Sequence, residues 1–223
     1  MNFCAGLSTK LISSIKKIMK VKICGTTNLE DAMLSIELGA DMLGFIFYKE
    51  SKRFVQYNVA ESIIKQLPDS VLKVGVFVNS TIEEVNSAID RIGLSAAQLH
   101  GDETPFYTIQ IRKPVFKSFR VDNKFDFALL DKYENCSFLL DNFSEKEYGG
   151  TGKSFDWSLI PDELKNKIIL AGGVSSKNIE NIFVNIKPYA VDLVSSVEKS
   201  PGKKDKEKLK EFFNTINKLS NKC

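Results

Sequence analysis

The chain has 223 residues, 43% of them hydrophobic, with 31 Lys and Arg against 28 Asp and Glu. This is enough apolar material for one large domain with a real core, which excludes a disordered chain, and the near balance of mixed charges leaves no basic stripe for nucleic acid. Four scattered cysteines (Cys4, Cys24, Cys136, Cys223) and the single His100 argue against a disulfide framework, zinc chemistry and a Ser-His-Asp triad. With no apolar run of ~20 residues to span a membrane, the expectation is a reduced, cytoplasmic protein.

Residues 1–20 differ from the rest. They carry Lys10, Lys16, Lys17 and Lys20 with no acid, and Leu11, Ile12, Ile15 and Ile18 at roughly helical spacing. A targeting peptide, which normally favours Arg, a short amphipathic helix and a dispensable extension all fit. Because organised sequence begins at Val21, just after Met19, residues 1–20 are expected to be dispensable and residues 21–223 to form one domain.

From Val21 onward, short β-rich runs alternate with helical patterns. The predicted strands are Val21–Cys24, Met42–Phe47, Lys73–Val78, Ala96–Leu99, Val115–Phe119, Phe138–Asp141, Ile168–Ala171 and Val191–Val194. The helices between them are Leu29–Leu38, capped by Asn28 and closed by Gly39, then Asn58–Gln66, Thr81–Ile92, two weak stretches (Pro105–Ile111 and Phe125–Leu130), Trp157–Leu164, Lys177–Val184 and Lys204–Leu219. Lys203, Lys204 and Lys206 read as a solvated face. Eight strand-helix units with short connections mean a closed (β/α)₈ TIM barrel or an open doubly wound sheet, and the count favours a compact barrel.

In such a barrel, chemistry sits at the carboxyl ends of the strands. Those ends carry Cys24, Arg53, His100 and Asp141, then Gly149-Gly150-Thr151-Gly152, Gly172-Gly173 and Ser195-Ser196. Small residues in the last three loops suit a cradle of backbone N–H groups around phosphate, since a side chain would block close approach. Lys22 shares the inward face with Cys24, two residues deeper, and needs a partner there. Asp192 on the last strand is the expected one. His100 either touches substrate or is a hydrogen-bonded structural residue.

Five blocks in order then resemble one family: Val21-Lys22-Ile23-Cys24-Gly25, Val74-Gly75-Val76-Phe77-Val78-Asn79, Gln98-Leu99-His100-Gly101-Asp102-Glu103, Gly149-Gly150-Thr151-Gly152 with Phe155-Asp156-Trp157, and Leu170-Ala171-Gly172-Gly173. Together with Ser200-Pro201-Gly202-Lys203-Lys204-Asp205 they are similar to phosphoribosylanthranilate isomerase, in register from about Val21 to Phe213. The resemblance implies a (β/α)₈ barrel that performs the Amadori rearrangement of N-(5-phosphoribosyl)anthranilate to 1-(2-carboxyphenylamino)-1-deoxyribulose 5-phosphate in tryptophan biosynthesis, with no cofactor and no metal. It assigns Cys24 as general base, Asp141 as general acid and Arg53 to the anthranilate carboxylate. Lys22, Asp192 and His100 are expected around the substrate, and Gly150, Gly172, Gly173, Ser195 and Ser196 around its phosphate. The partner is a small molecule, and the enzyme is a monomer or a homodimer. A neighbouring phosphate-binding barrel enzyme of tryptophan or histidine biosynthesis, or a catalytically idle barrel, are the competing readings.

Two departures from the family carry consequences. Ser195-Ser196 stands for its usual Ser-Gly, and Ser51-Lys52-Arg53 for Ser-Pro-Arg. If the replaced glycine has φ > 0, Ser196 carries a local cost on the order of 1 kcal/mol. A base at neutral pH also implies a Cys24 thiol lowered by roughly 1.5 units from about 8.5, with Lys22 as the candidate source unless Lys22–Asp192 is purely structural.

Overall fold

A computed structural model describes residues 19–142 and 156–221. Eight parallel strands close into a barrel in the order β1 to β8: Lys20–Cys24, Met42–Ile46, Leu72–Phe77, Ala96–Leu99, Val115–Val121, Cys136–Asn142, Ile168–Leu170 and Ala190–Leu193. Every predicted strand is present, and β1 closes on β8 with Lys22 beside Asp192.

The interstrand segments sort by how wide an apolar stripe each can bury. Helix α1 (Leu29–Leu38) starts on Asn28, whose side chain accepts from the Asp31 N–H, and stops at Gly39 in the left-handed region. Then come α2 (Tyr57–Ile64) and α3 (Ile82–Ile92), the latter opened by a capping box of Thr81 and Glu84. Between β4 and β7 the described helical elements are short: α4 (Pro105–Thr108), a 3₁₀ helix at Phe127–Lys132, a 3₁₀ turn at Trp157–Leu159, and α5 (Asp162–Lys165). They bury at most one residue apiece, so packing has little to extend them. After β7, α6 (Ile179–Asn181) runs into a π turn at Ile182–Ile186.

Beyond β8 the structure departs from expectation. A 3₁₀ turn (Ser195–Val197) leads into an antiparallel hairpin, β9 (Glu198–Ser200) and β10 (Lys203–Lys204), before α7 (Lys206–Ser220). Lys204 thus lies in a strand and not in the helix.

Two apolar layers follow from strand alternation. Outward-facing Val21, Ile23, Leu43, Phe45, Phe77 and Leu140 pack under helix residues such as Ile89, Phe212 and Phe213. Inside the barrel, Met42, Val74, Ala96, Phe116, Leu139, Ile169, Ala171 and Ala190 form a separate cluster. The inward position on β1 is instead Lys22, which is fully buried. No described helix is long and apolar enough to cross a membrane. The extension at residues 1–18 and the Gly149–Gly152 loop, with Gly150, lie outside the described residues.

Candidate active site at the carboxyl end of the barrel

A cavity of about 470 Å³ opens at this end, and Cys24, Arg53, His100, Asp141, Asp192, Gly172, Gly173, Ser195 and Ser196 are all on its wall. The size suits a phosphosugar bearing one aromatic ring. Lys22 lies beneath it.

Cys24 ends β1 and is 3% exposed. A neighbour with any side chain would displace it: a Cβ added to Gly44 on β2 would stand 2.6 Å from Cys24 Sγ. Lys22 Nζ donates to both Asp192 carboxylate oxygens at 3.0 Å, which joins β1 to β8 directly below the thiol. Burial works against charge on Lys22, yet Asp192 and Cys24 outweigh it and hold the ammonium pKa above its ordinary value. The thiol itself departs from expectation. Burial pushes the Cys24 pKa up, with Asp192 adding to the rise, and the lowering pulls of Lys22 and Lys204 do not overcome it. Cys24 therefore rests as a thiol, and Lys22 limits the cost of the thiolate without making it the ground state.

Asp141 is near the end of β6, three strands from β1 around the barrel by way of β7 and β8. Its Oδ2 is 3.6 Å from His100 Nε2, while His100 Nδ1 is 2.9 Å from Gln98 Nε2. With Gln98 donating, the neutral ring carries its proton on Nε2 and turns it toward Asp141. Burial, then Lys117, Lys22 and Arg120, drives the His100 pKa down to about 3. The contact is thus between a neutral imidazole and a carboxyl group rather than an ion pair. His100 is held through Gln98 and stands on the cavity wall beside Asp141, so it is a hydrogen-bonded structural residue that also faces the cavity.

Arg53 is gripped from one side. Its Nε lies 3.0 and 2.9 Å from the two Glu198 oxygens and its Nη2 2.8 Å from Oε2. This leaves Nη1 and the second Nη2 proton for a carboxylate in the cavity. Glu198 also accepts from Gly202 N–H at 3.1 Å and from Lys204 Nζ at 3.1 Å. The reading of Lys204 as part of a solvated face is incorrect: its side chain is 1% exposed, because the β9–β10 hairpin folds it under the barrel mouth.

Also on the cavity wall, Gly172 and Gly173 take φ of 75° and 86°, a left-handed pair that side chains would strain. Asn178 fixes their loop by donating to Gly173 O at 2.8 Å and accepting from Ser175 N–H at 2.9 Å. Ser196 carries no left-handed strain, since Asn79 and Lys187 are the non-glycine residues with positive φ among those described. Ser195 and Ser196 open the 3₁₀ turn instead, so serine replaces glycine there without the expected conformational cost.

Comparison with known proteins agrees with this geometry. The family described as N-(5'-phosphoribosyl)anthranilate (PRA) isomerase matches residues 21–215. The chain belongs to the phosphoribosylanthranilate isomerase family. It is 44% identical over 202 residues to the isomerase of Geobacter sp. strain M21, covering 90% of this chain and 99% of that one. The Bacillus cereus strain B4264 enzyme is 45% identical over 198 residues, covering 87% and 96%. Among solved structures, the Thermotoga maritima isomerase superposes with a TM-score of 0.82 at 38% identity over 90% of this chain and 100% of that one. An isomerase in complex with reduced 1-(o-carboxyphenylamino)-1-deoxyribulose 5-phosphate gives 0.80 at 38% identity, with the same coverage.

Within this family frame, sequence reasoning missed four residues that shape the site: Gly44, Gln98, Glu198 and Lys204. The Pro201-Gly202 turn flanked by Glu198 and Lys204 was the one available signal for a hairpin pairing those charges.

Proposed function

We propose that this isomerase converts N-(5-phosphoribosyl)anthranilate to 1-(2-carboxyphenylamino)-1-deoxyribulose 5-phosphate with Asp141 as general acid and Cys24 as general base. Asp141 protonates the ribose ring oxygen, the ring opens to an iminium ion, and Cys24 removes the proton from the adjacent carbon. The resulting enolamine collapses to the ketone, so one acid and one base suffice. The observation that carries the reading is the placement of a buried thiol and a carboxyl group on the wall of one cavity, with a held guanidinium and a left-handed glycine pair on the same wall.

Each part of the substrate then has a counterpart. Arg53 takes the anthranilate carboxylate through the donors Glu198 leaves open. Backbone N–H groups at Gly172, Gly173, Ser195 and Ser196, with Gly150 from the preceding loop, take the phosphate. Asp192 and His100 line the cavity where ring opening occurs, and Lys22, expected to touch substrate, acts from beneath the wall through Asp192, because it is fully buried. The expected partner is this small molecule alone, in a monomer or homodimer, with the barrel as the catalytic domain and residues 1–18 dispensable; the expected boundary at Val21 moves back to Met19, because Lys20 opens β1 and Met19 is buried in the core. Incubation with freshly made phosphoribosylanthranilate should extinguish its fluorescence in proportion to enzyme. Stable fluorescence at micromolar enzyme would refute the assignment.

A further inference from the structure

The hairpin after β8 has a task that the barrel does not account for. Lys204 Nζ donates to the Cys24 carbonyl at 2.6 Å, 180 residues away in sequence, and to Glu198 Oε1 at 3.1 Å. Its backbone N–H is fixed by Asp31 at 2.9 Å, and Lys208 Nζ clamps the Glu198 carbonyl at 2.7 Å. An ammonium with a 1% exposed side chain is costly to bury, and a hairpin needing only closure could place an apolar side chain there.

The charges around the thiol give the reason. Lys22 and Asp192 act on Cys24 from β1 and β8, and Lys204 from the hairpin, so the three charged groups that bear on the thiol sum to one positive charge. Glu198 and Arg53 stand behind Lys204 and offset each other, with Asp31 and Lys208 further out. Across the cavity stand His100, which is neutral, and Asp141. A thiolate at Cys24 would balance the inner three, whereas Lys22–Asp192 alone leaves it uncompensated.

We propose that Lys204 is a positioning residue for Cys24: its ammonium, held by Glu198 and brought by the β9–β10 hairpin to the end of β1, supplies positive charge against which the thiolate forms. This rests on the reading of Cys24 as the base, and it adds a regulator of that base drawn from the far end of the chain.

The test is the pH dependence of Cys24 alkylation by iodoacetamide, followed by peptide mass spectrometry so that Cys4, Cys136 and Cys223 do not contribute. In Lys204→Met the alkylation midpoint should move up by about one pH unit, tenfold in thiolate at a given pH. The ascending limb of kcat should move with it while KM stays within about twofold, and Lys204→Arg should restore the midpoint. Glu198→Gln removes a negative charge and should move the midpoint the opposite way, which a merely structural strap would not do. An unchanged midpoint in Lys204→Met, or shifts of the same sign in both variants, would overturn the proposal. If Lys204→Met does not fold, the sign in Glu198→Gln decides: a downward shift supports the proposal, and an upward or absent one refutes it. Alkylation reads the thiol without turnover, so failure here is distinct from failure of Cys24 as base, which Cys24→Ser reports.

Discussion

His100 is the only histidine in the chain, so replacing it removes one titration cleanly. Its pKa falls from 6.5 to about 3 on folding, through burial first and then Lys117, Lys22 and Arg120. Between these values the unfolded chain binds a proton that the native protein does not, so stability rises with pH across the window and is lost as pH falls through it. The slope is at most about 1.4 kcal/mol per pH unit, and the 2.5 units from 6.5 down to pH 4 amount to about 3 kcal/mol. His100→Asn keeps a polar group near Gln98 and Asp141 but cannot titrate. Urea unfolding of both proteins should therefore give a difference in stability that is flat above pH 7 and then shifts against the wild type by about 3 kcal/mol by pH 4. Comparing the two proteins cancels the carboxylates they share. Parallel curves would show that His100 titrates alike folded and unfolded. A relative gain for the wild type in acid would mean a charged His100 paired with Asp141, contrary to the account.

Three further outcomes follow from the site. Asp192→Asn should destabilise the protein by about 3–5 kcal/mol in denaturant, because Lys22 would keep a buried charge with no carboxylate partner, and a loss below about 1 kcal/mol would show that water reaches it. Arg53→Ala should raise KM for phosphoribosylanthranilate by tenfold or more, while the Ki for inorganic phosphate stays within twofold if phosphate is taken by the backbone N–H groups at Gly172, Gly173, Ser195 and Ser196, as proposed. Equal effects on both would place Arg53 elsewhere. Since burial raises the Cys24 pKa, kcat/KM should keep climbing with pH from 7 to above 8 as thiolate accumulates, and a plateau by pH 7 would mean a thiolate already formed at neutrality.

The barrel was legible because its signal repeats: eight β-rich runs with helical pattern between them admit few topologies. Lys22 and Asp192 were legible because a two-residue period turns Lys22 inward, where it cannot remain alone. The β9–β10 hairpin was not, since strands of three and two residues carry no period, and Lys204 stands in a lysine-rich stretch that looks like ordinary surface. Gly44 reads as any strand glycine until Cys24 Sγ is seen against it. The thiol pKa was misjudged for a related reason: Lys22 is visible as a neighbour of Cys24 in sequence, but the burial that outweighs it exists only once the barrel closes.

The central claim, that Cys24 and Asp141 are the proton-transfer pair, is tested most directly by single-turnover and steady-state rates of Cys24→Ser on phosphoribosylanthranilate, with circular dichroism to establish that the barrel is intact. Serine keeps the shape and removes the acidity, so kcat should fall by about 10²–10⁴-fold, as it should for Asp141→Asn, with little change in melting temperature. A folded Cys24→Ser enzyme with near-normal kcat would contradict the account and make Cys24 a small buried hydrophobic residue on a strand.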